Sequence, residues 1–122
     1  MKKLRQAQEN SLRDNAMQDF CGRAIVHLRR DLRDQTVGYN DIALKQRVMS
    51  CEQRAKRHGL KSQREVICFV DTTFLIGEDF DSSPDHGWAK ELLESTELSS
   101  GDKAHLLLAT ACSVYEGKKA KG

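Results

Sequence analysis

The chain has 122 residues, enough for one domain that buries a single core without disulfide or metal staples. It is 39% hydrophobic, 31% charged and 6% aromatic, with one Pro and eight Gly, so few strong breakers interrupt regular structure. The longest apolar runs, such as Val66 to Val70, fall far short of the roughly 20 residues that a membrane span needs.

The net charge of +2 hides an asymmetry. Residues 1–64 carry 15 Lys/Arg against 7 Asp/Glu, and residues 65–122 carry 5 against 11. Either the two halves neutralise one another across the folded chain, or one pole steers a charged partner. The basic start, Met1 to Arg5, runs into polar Gln6 to Asn10 where an export signal would need an apolar stretch. A cytoplasmic address is therefore expected. Cys21, Cys51, Cys68 and Cys112 form no Cys-x-x-Cys pair. In a reducing compartment they read as free, buried thiols.

In chain order, a flexible segment 1–9 is expected to precede one helical domain over 10–117. The first helix runs from Asn10 or Ser11 to about Arg33. Its stripe is Leu12, Ala16, Phe20, Ala24, Leu28 and Leu32, one residue in four, widened by Met17, Cys21 and Ile25. The period breaks over 34–40. A second helix, from about Ile42 to His58 with Asn40 or Asp41 as cap, carries Ile42, Leu44, Val48, Met49 and Ala55. Gly59-Leu60 fits a helix stop with Gly left-handed and an apolar residue behind it.

Ser62-Gln63-Arg64-Glu65 is a capping box that opens a third helix. Val66, Ile67, Val70, Phe74 and Leu75 form its stripe, and Gly77 is its stop. Ser83-Pro84 reads as the cap and first residue of a short fourth helix bearing Trp88, Leu92 and Leu93. Trp88 is expected as a core anchor rather than an exposed hot spot. A fifth helix starts at Ser99 or Ser100, carries Ala104, Leu107, Leu108, Ala111 and Tyr115, and ends at Gly117, leaving a flexible tail over 118–122. No segment alternates with period two. The expected fold is all-α, an array of about five helices, with roughly two-thirds helix against about one-third in an average domain.

Candidate chemistry is sparse. Asp79, Asp81, Ser83 and Asp85 alternate as in a calcium loop, but Pro84 and Lys90 hold the positions that need Gly and a bidentate Glu. His27, His58, His86 and His105 show no zinc-ligand spacing with one another or with the cysteines. No nucleophile stands near a base in a local motif. No cofactor is expected and no enzyme. Arg47, Arg54, Lys56, Arg57, Lys61 and Arg64 form a basic stretch, yet no aromatic stacking platform accompanies it. That favours a solvated or protein-facing patch over nucleic acid.

Residues 58–93 carry a pattern: His58-Gly59-Leu60-Lys61-Ser62-Gln63-Arg64-Glu65-Val66, then Phe69-Val70-Asp71, Gly77-Glu78-Asp79-Phe80-Asp81 and Trp88-Ala89-Lys90-Glu91-Leu92-Leu93. It resembles the small helical accessory proteins encoded beside type VI secretion effector and adaptor-chaperone genes. Members of that family usually have Pro before the Trp, where Gly87 stands here. The resemblance implies a non-catalytic protein that binds an effector or its adaptor-chaperone before delivery. The alternative it leaves open is an immunity protein that neutralises a toxin. The basic stretch and the acidic motif together give Arg47, Arg54, Arg57, Lys61, Arg64, Asp79 and Asp81 as candidate protein-binding residues.

Overall fold

The computed structural model describes the backbone of residues 2–121 and the side chains of residues 15–119. Helix accounts for 79% of the described residues, and there is no strand among them. Six helices follow in order: α1 (Lys2–Asp31), α2 (Arg33–Thr36), α3 (Asp41–Arg57), α4 (Gln63–Ile76), α5 (Gly87–Glu94) and α6 (Ser100–Lys121). A 3₁₀ turn, Pro84–His86, leads into α5. The all-α expectation holds, with one more helix than anticipated.

α4 is the central element, packed most extensively on α6, then on α3, with α1 closing the layer over α3. It is apolar enough to do so: Val66, Phe69, Val70 and Ile76 are buried, together with Thr72 and Thr73. The core gathers these with Phe20, Ala24 and Leu28 of α1, Leu44, Val48 and Cys51 of α3, and Ala104, Leu107 and Ala111 of α6. Trp88 is half-buried at the edge of this core rather than inside it.

The helix ends follow local chemistry. Asn40 caps α3, its side chain accepting from the Ala43 N–H at 2.8 Å. α3 stops with Gly59 at φ 85°. There the Leu60 N–H bonds the Ala55 carbonyl at 3.0 Å, and the Gly59 N–H bonds the Lys56 carbonyl at 3.0 Å. These are the paired bonds of a Schellman stop, and Leu60 is buried behind them. Ser62 caps α4 by accepting from the Glu65 N–H at 3.1 Å, while the Glu65 carboxylate accepts from the Lys61 N–H at 2.9 Å. Gly77, at φ 127°, ends α4.

Several expectations are corrected. α2 forms where a break was read: the Thr36 N–H bonds the Leu32 carbonyl at 3.1 Å, and the Thr36 hydroxyl bonds the same carbonyl at 2.9 Å. The Arg29 guanidinium also ties down the carbonyls of Thr36 and Tyr39, at 2.7 and 2.6 Å. Ser83-Pro84 opens the 3₁₀ turn rather than α5 itself. Gly117 does not stop α6: it lacks a positive φ, and the helix runs on to Lys121. Ile42 and Met49 are exposed, at 70% and 39%, and Cys51 takes a core position of α3 instead. The cysteines are all free, but only Cys21 and Cys51 are buried; Cys68 is half-buried and Cys112 exposed. α1 begins at Lys2, ahead of the start expected at Asn10 or Ser11, so its backbone runs through the segment 2–9 that was expected to be flexible, as that of α6 runs through 118–121.

Candidate functional site

α3 and its C-cap present Arg47, Arg54 and His58, seven and four residues apart, to the end of α4 and the acidic loop after it. Arg47 donates from Nη2 to the Thr73 carbonyl at 3.0 Å and pairs through Nη1 with Glu78 at 3.3 Å. Its guanidinium lies 4.3 Å from the Phe74 ring centroid. Arg54 reaches the Glu78 carbonyl at 2.7 Å and pairs with the Asp81 carboxylate. His58 bonds the other Asp81 oxygen at 3.1 Å. Beneath them the rings of Phe69 and Phe80 meet at 4.9 Å, both fully buried. The opposite charges of the two chain halves thus meet inside the molecule. Arg47, Arg54 and Asp81, expected as partner-binding residues, hold α3 to the α4–α5 loop.

This clamp has a pH signature. Partial burial pushes the Asp81 carboxyl up, but the hydrogen bonds from Arg54 and His58 outweigh it and hold the group below its ordinary 3.8. A carboxyl with a depressed folded value stabilises the fold fully above its unfolded value and loses that contribution as pH falls through the folded one. Asp81→Asn is therefore expected to cost stability at pH 7 and progressively less below 3.8. Urea unfolding at pH 7 and pH 3 checks this; an equal cost at both would contradict it.

A second, part-buried pair joins α1 to α4. The His27 Nε2 faces both Asp71 oxygens, at 2.9 and 2.8 Å, and Nδ1 faces Asp31 at 3.0 Å. Each ring nitrogen thus has a carboxylate partner, Nε2 on α4 and Nδ1 one turn further along α1. Burial pushes the Asp71 carboxyl up, and the His27 hydrogen bonds oppose that only in part. Sequence reading missed this pair. Its signal was a His beside Ala24 and Leu28 on the apolar stripe of α1, and an Asp beside Val70 on that of α4.

The pair borders a groove of about 710 Å³ between α1, α4 and α6. Ile67, Cys68, Ala104, Leu108 and Ala109 supply its apolar lining, and Arg64, Glu65 and His105 its polar edge. Glu65 is held below the usual carboxylate range, chiefly by the Lys61 backbone N–H. Arg64 is exposed and pairs with no carboxylate among the described residues. Of the seven candidates, only Arg64 lines this groove; Arg57, Lys61 and Asp79 are exposed on the surface around α3 and the loop.

Among the described residues, no His ring is hydrogen-bonded to a Ser, Thr or Cys side chain, and no group of three or more His, Cys, Asp and Glu is arranged to hold a metal ion. No described helix is long and apolar enough to cross a membrane. The arrangement is that of an all-α protein with an open interhelical groove. No family model, curated protein or solved structure matches the chain.

Proposed function

We propose that this chain is a non-catalytic, cytoplasmic protein-binding factor whose partner is a type VI secretion effector or the adaptor-chaperone that loads it. The observation that carries the reading is the division of labour within the motif of residues 58–93. Gly59, Ser62 and Gly77 end or cap helices, and Phe80 and Asp81 fill the core and the clamp. Arg64 does none of this and stands at an open groove. The two His–Asp pairs support the same reading, since both are engaged in holding helices together and neither His ring is hydrogen-bonded to a Ser, Thr or Cys side chain among the described residues.

Deleting the gene is expected to reduce delivery of one effector into competitor cells while sibling cells lacking it survive. Intact delivery with killing of those siblings would overturn this and put the immunity protein first.

A further inference from the structure

Three shallow grooves adjoin along the first half of α4. The one of about 710 Å³ shares His27, Arg64 and Ile67 with a second of about 260 Å³, which reaches Phe20 on α1. Phe20 and Gln63 in turn line a third of about 340 Å³ that extends to Met17 and Lys61. Together they make a trough along α1, α4 and α6, apolar at Phe20, Val66, Ile67 and Leu108 and bridged by the Arg23–Gln63 hydrogen bond of 2.7 Å.

Its unpaired charge leans positive: Arg23, Lys61 and Arg64 stand against Glu65, which keeps its charge while hydrogen-bonded to neutral groups. The rim carboxylates are already engaged: Glu52 with Lys56 at 3.1 Å, Glu65 with the Lys61 N–H and the Ser62 hydroxyl at 2.9 Å each, and Asp71 with His27. The Lys61 and Arg64 side chains have no carboxylate partner among the described residues. No sheet edge is present among the described residues to pair with an extended strand. Grooves between helices instead accept side chains spaced at i, i+3, i+4 and i+7.

We infer that the trough seats an amphipathic helix of a protein partner, its apolar face on Ile67 and Leu108 and its acidic edge against Arg64 and Lys61. This rests on the protein-binding reading above and adds the chemistry of the bound segment. An Arg fork matches a carboxylate bidentately, so Arg64 fixes the register of the helix as well as adding affinity.

The test uses the full chain and two synthetic helical peptides with the same Leu stripe, one with Glu along its polar edge and one with Lys. Backbone amide shifts are expected to move at residues 62–71 and 101–112 with the Glu peptide and not with the Lys peptide. Arg64→Ala is expected to weaken the Glu peptide about tenfold or more. Ala109→Trp, at an exposed position on the groove wall, is expected to block it without disturbing the fold. No binding, equal binding of the two peptides, shifts confined to the outer face of α3, or unchanged affinity in Arg64→Ala would each overturn the inference. Loss of effector delivery on deletion, with no Glu peptide in the trough, would retain the accessory role and remove only the acidic helix.

Discussion

Phe69→Ala is expected to destabilise the protein by ~3–5 kcal/mol, the range for deleting a large buried aromatic. Phe69 is fully buried in the middle of α4. It touches Phe80 across 4.9 Å, stacks against His58 at 6.0 Å, and carries the Arg54 guanidinium at 5.2 Å. Removing it opens a cavity and withdraws the surface on which the Arg54–Asp81–His58 clamp rests. Against a typical domain stability of about 5–15 kcal/mol, the variant loses a large share of its margin. Urea denaturation measures it, with Ile42→Ala on the exposed face of α3 as a control expected within about 0.5 kcal/mol of wild type. A Phe69→Ala midpoint close to that control would contradict the packing described for α4.

His27→Ala is expected to cost about 3 kcal/mol at neutral pH, because it leaves the Asp71 carboxylate buried without its hydrogen-bond donor. The carbon atoms lost from a half-buried ring are the lesser part. Adding Asp71→Asn should recover much of the loss, since a neutral amide is cheaper to bury than an unpaired charge. The pH dependence gives a second check. Burial already pushes Asp71 up from 3.8, so its folded state holds a proton to higher pH than the unfolded chain does. Stability linked to this group is greatest at low pH and is lost as pH rises through the raised value. The penalty of His27→Ala should therefore shrink on acidification, opposite in sign to a simple loss of an acid-sensitive ion pair. A penalty that grows toward pH 4 would contradict the burial argument.

Four helix ends were legible because their causes are local, whereas the start of α1 and the run of α6 past Gly117 were not. Asn40, Gly59-Leu60, Ser62-x-x-Glu65 and Gly77 each act within a turn of themselves, and each does what its spacing predicts. Where the determinant lies elsewhere in the chain, the sequence was silent. α2 depends on Arg29 reaching forward to Thr36 and Tyr39. The exposure of Ile42 follows from its place on a face of α3 that no other described helix covers, which hydrophobicity alone does not reveal. The basic stretch showed the limit most clearly. Arg47 and Arg54 look like Arg57 and Lys61 along the chain, yet the first two reach partners 24 to 31 residues away and the last two reach solvent. Charge runs report how much charge there is, not which turn of the helix meets a neighbouring loop.

The most direct measurement is effector delivery by deletion strains complemented with Arg64→Glu or Ala109→Trp, alongside wild type and Ile42→Glu. Protein abundance and helical circular dichroism are recorded for each strain. Both groove variants are expected to accumulate as folded protein and fail to restore delivery, while Ile42→Glu, on the exposed face of α3, restores it. Wild-type delivery by folded Arg64→Glu and Ala109→Trp would contradict the proposal that the α1–α4–α6 groove is the working surface of this protein.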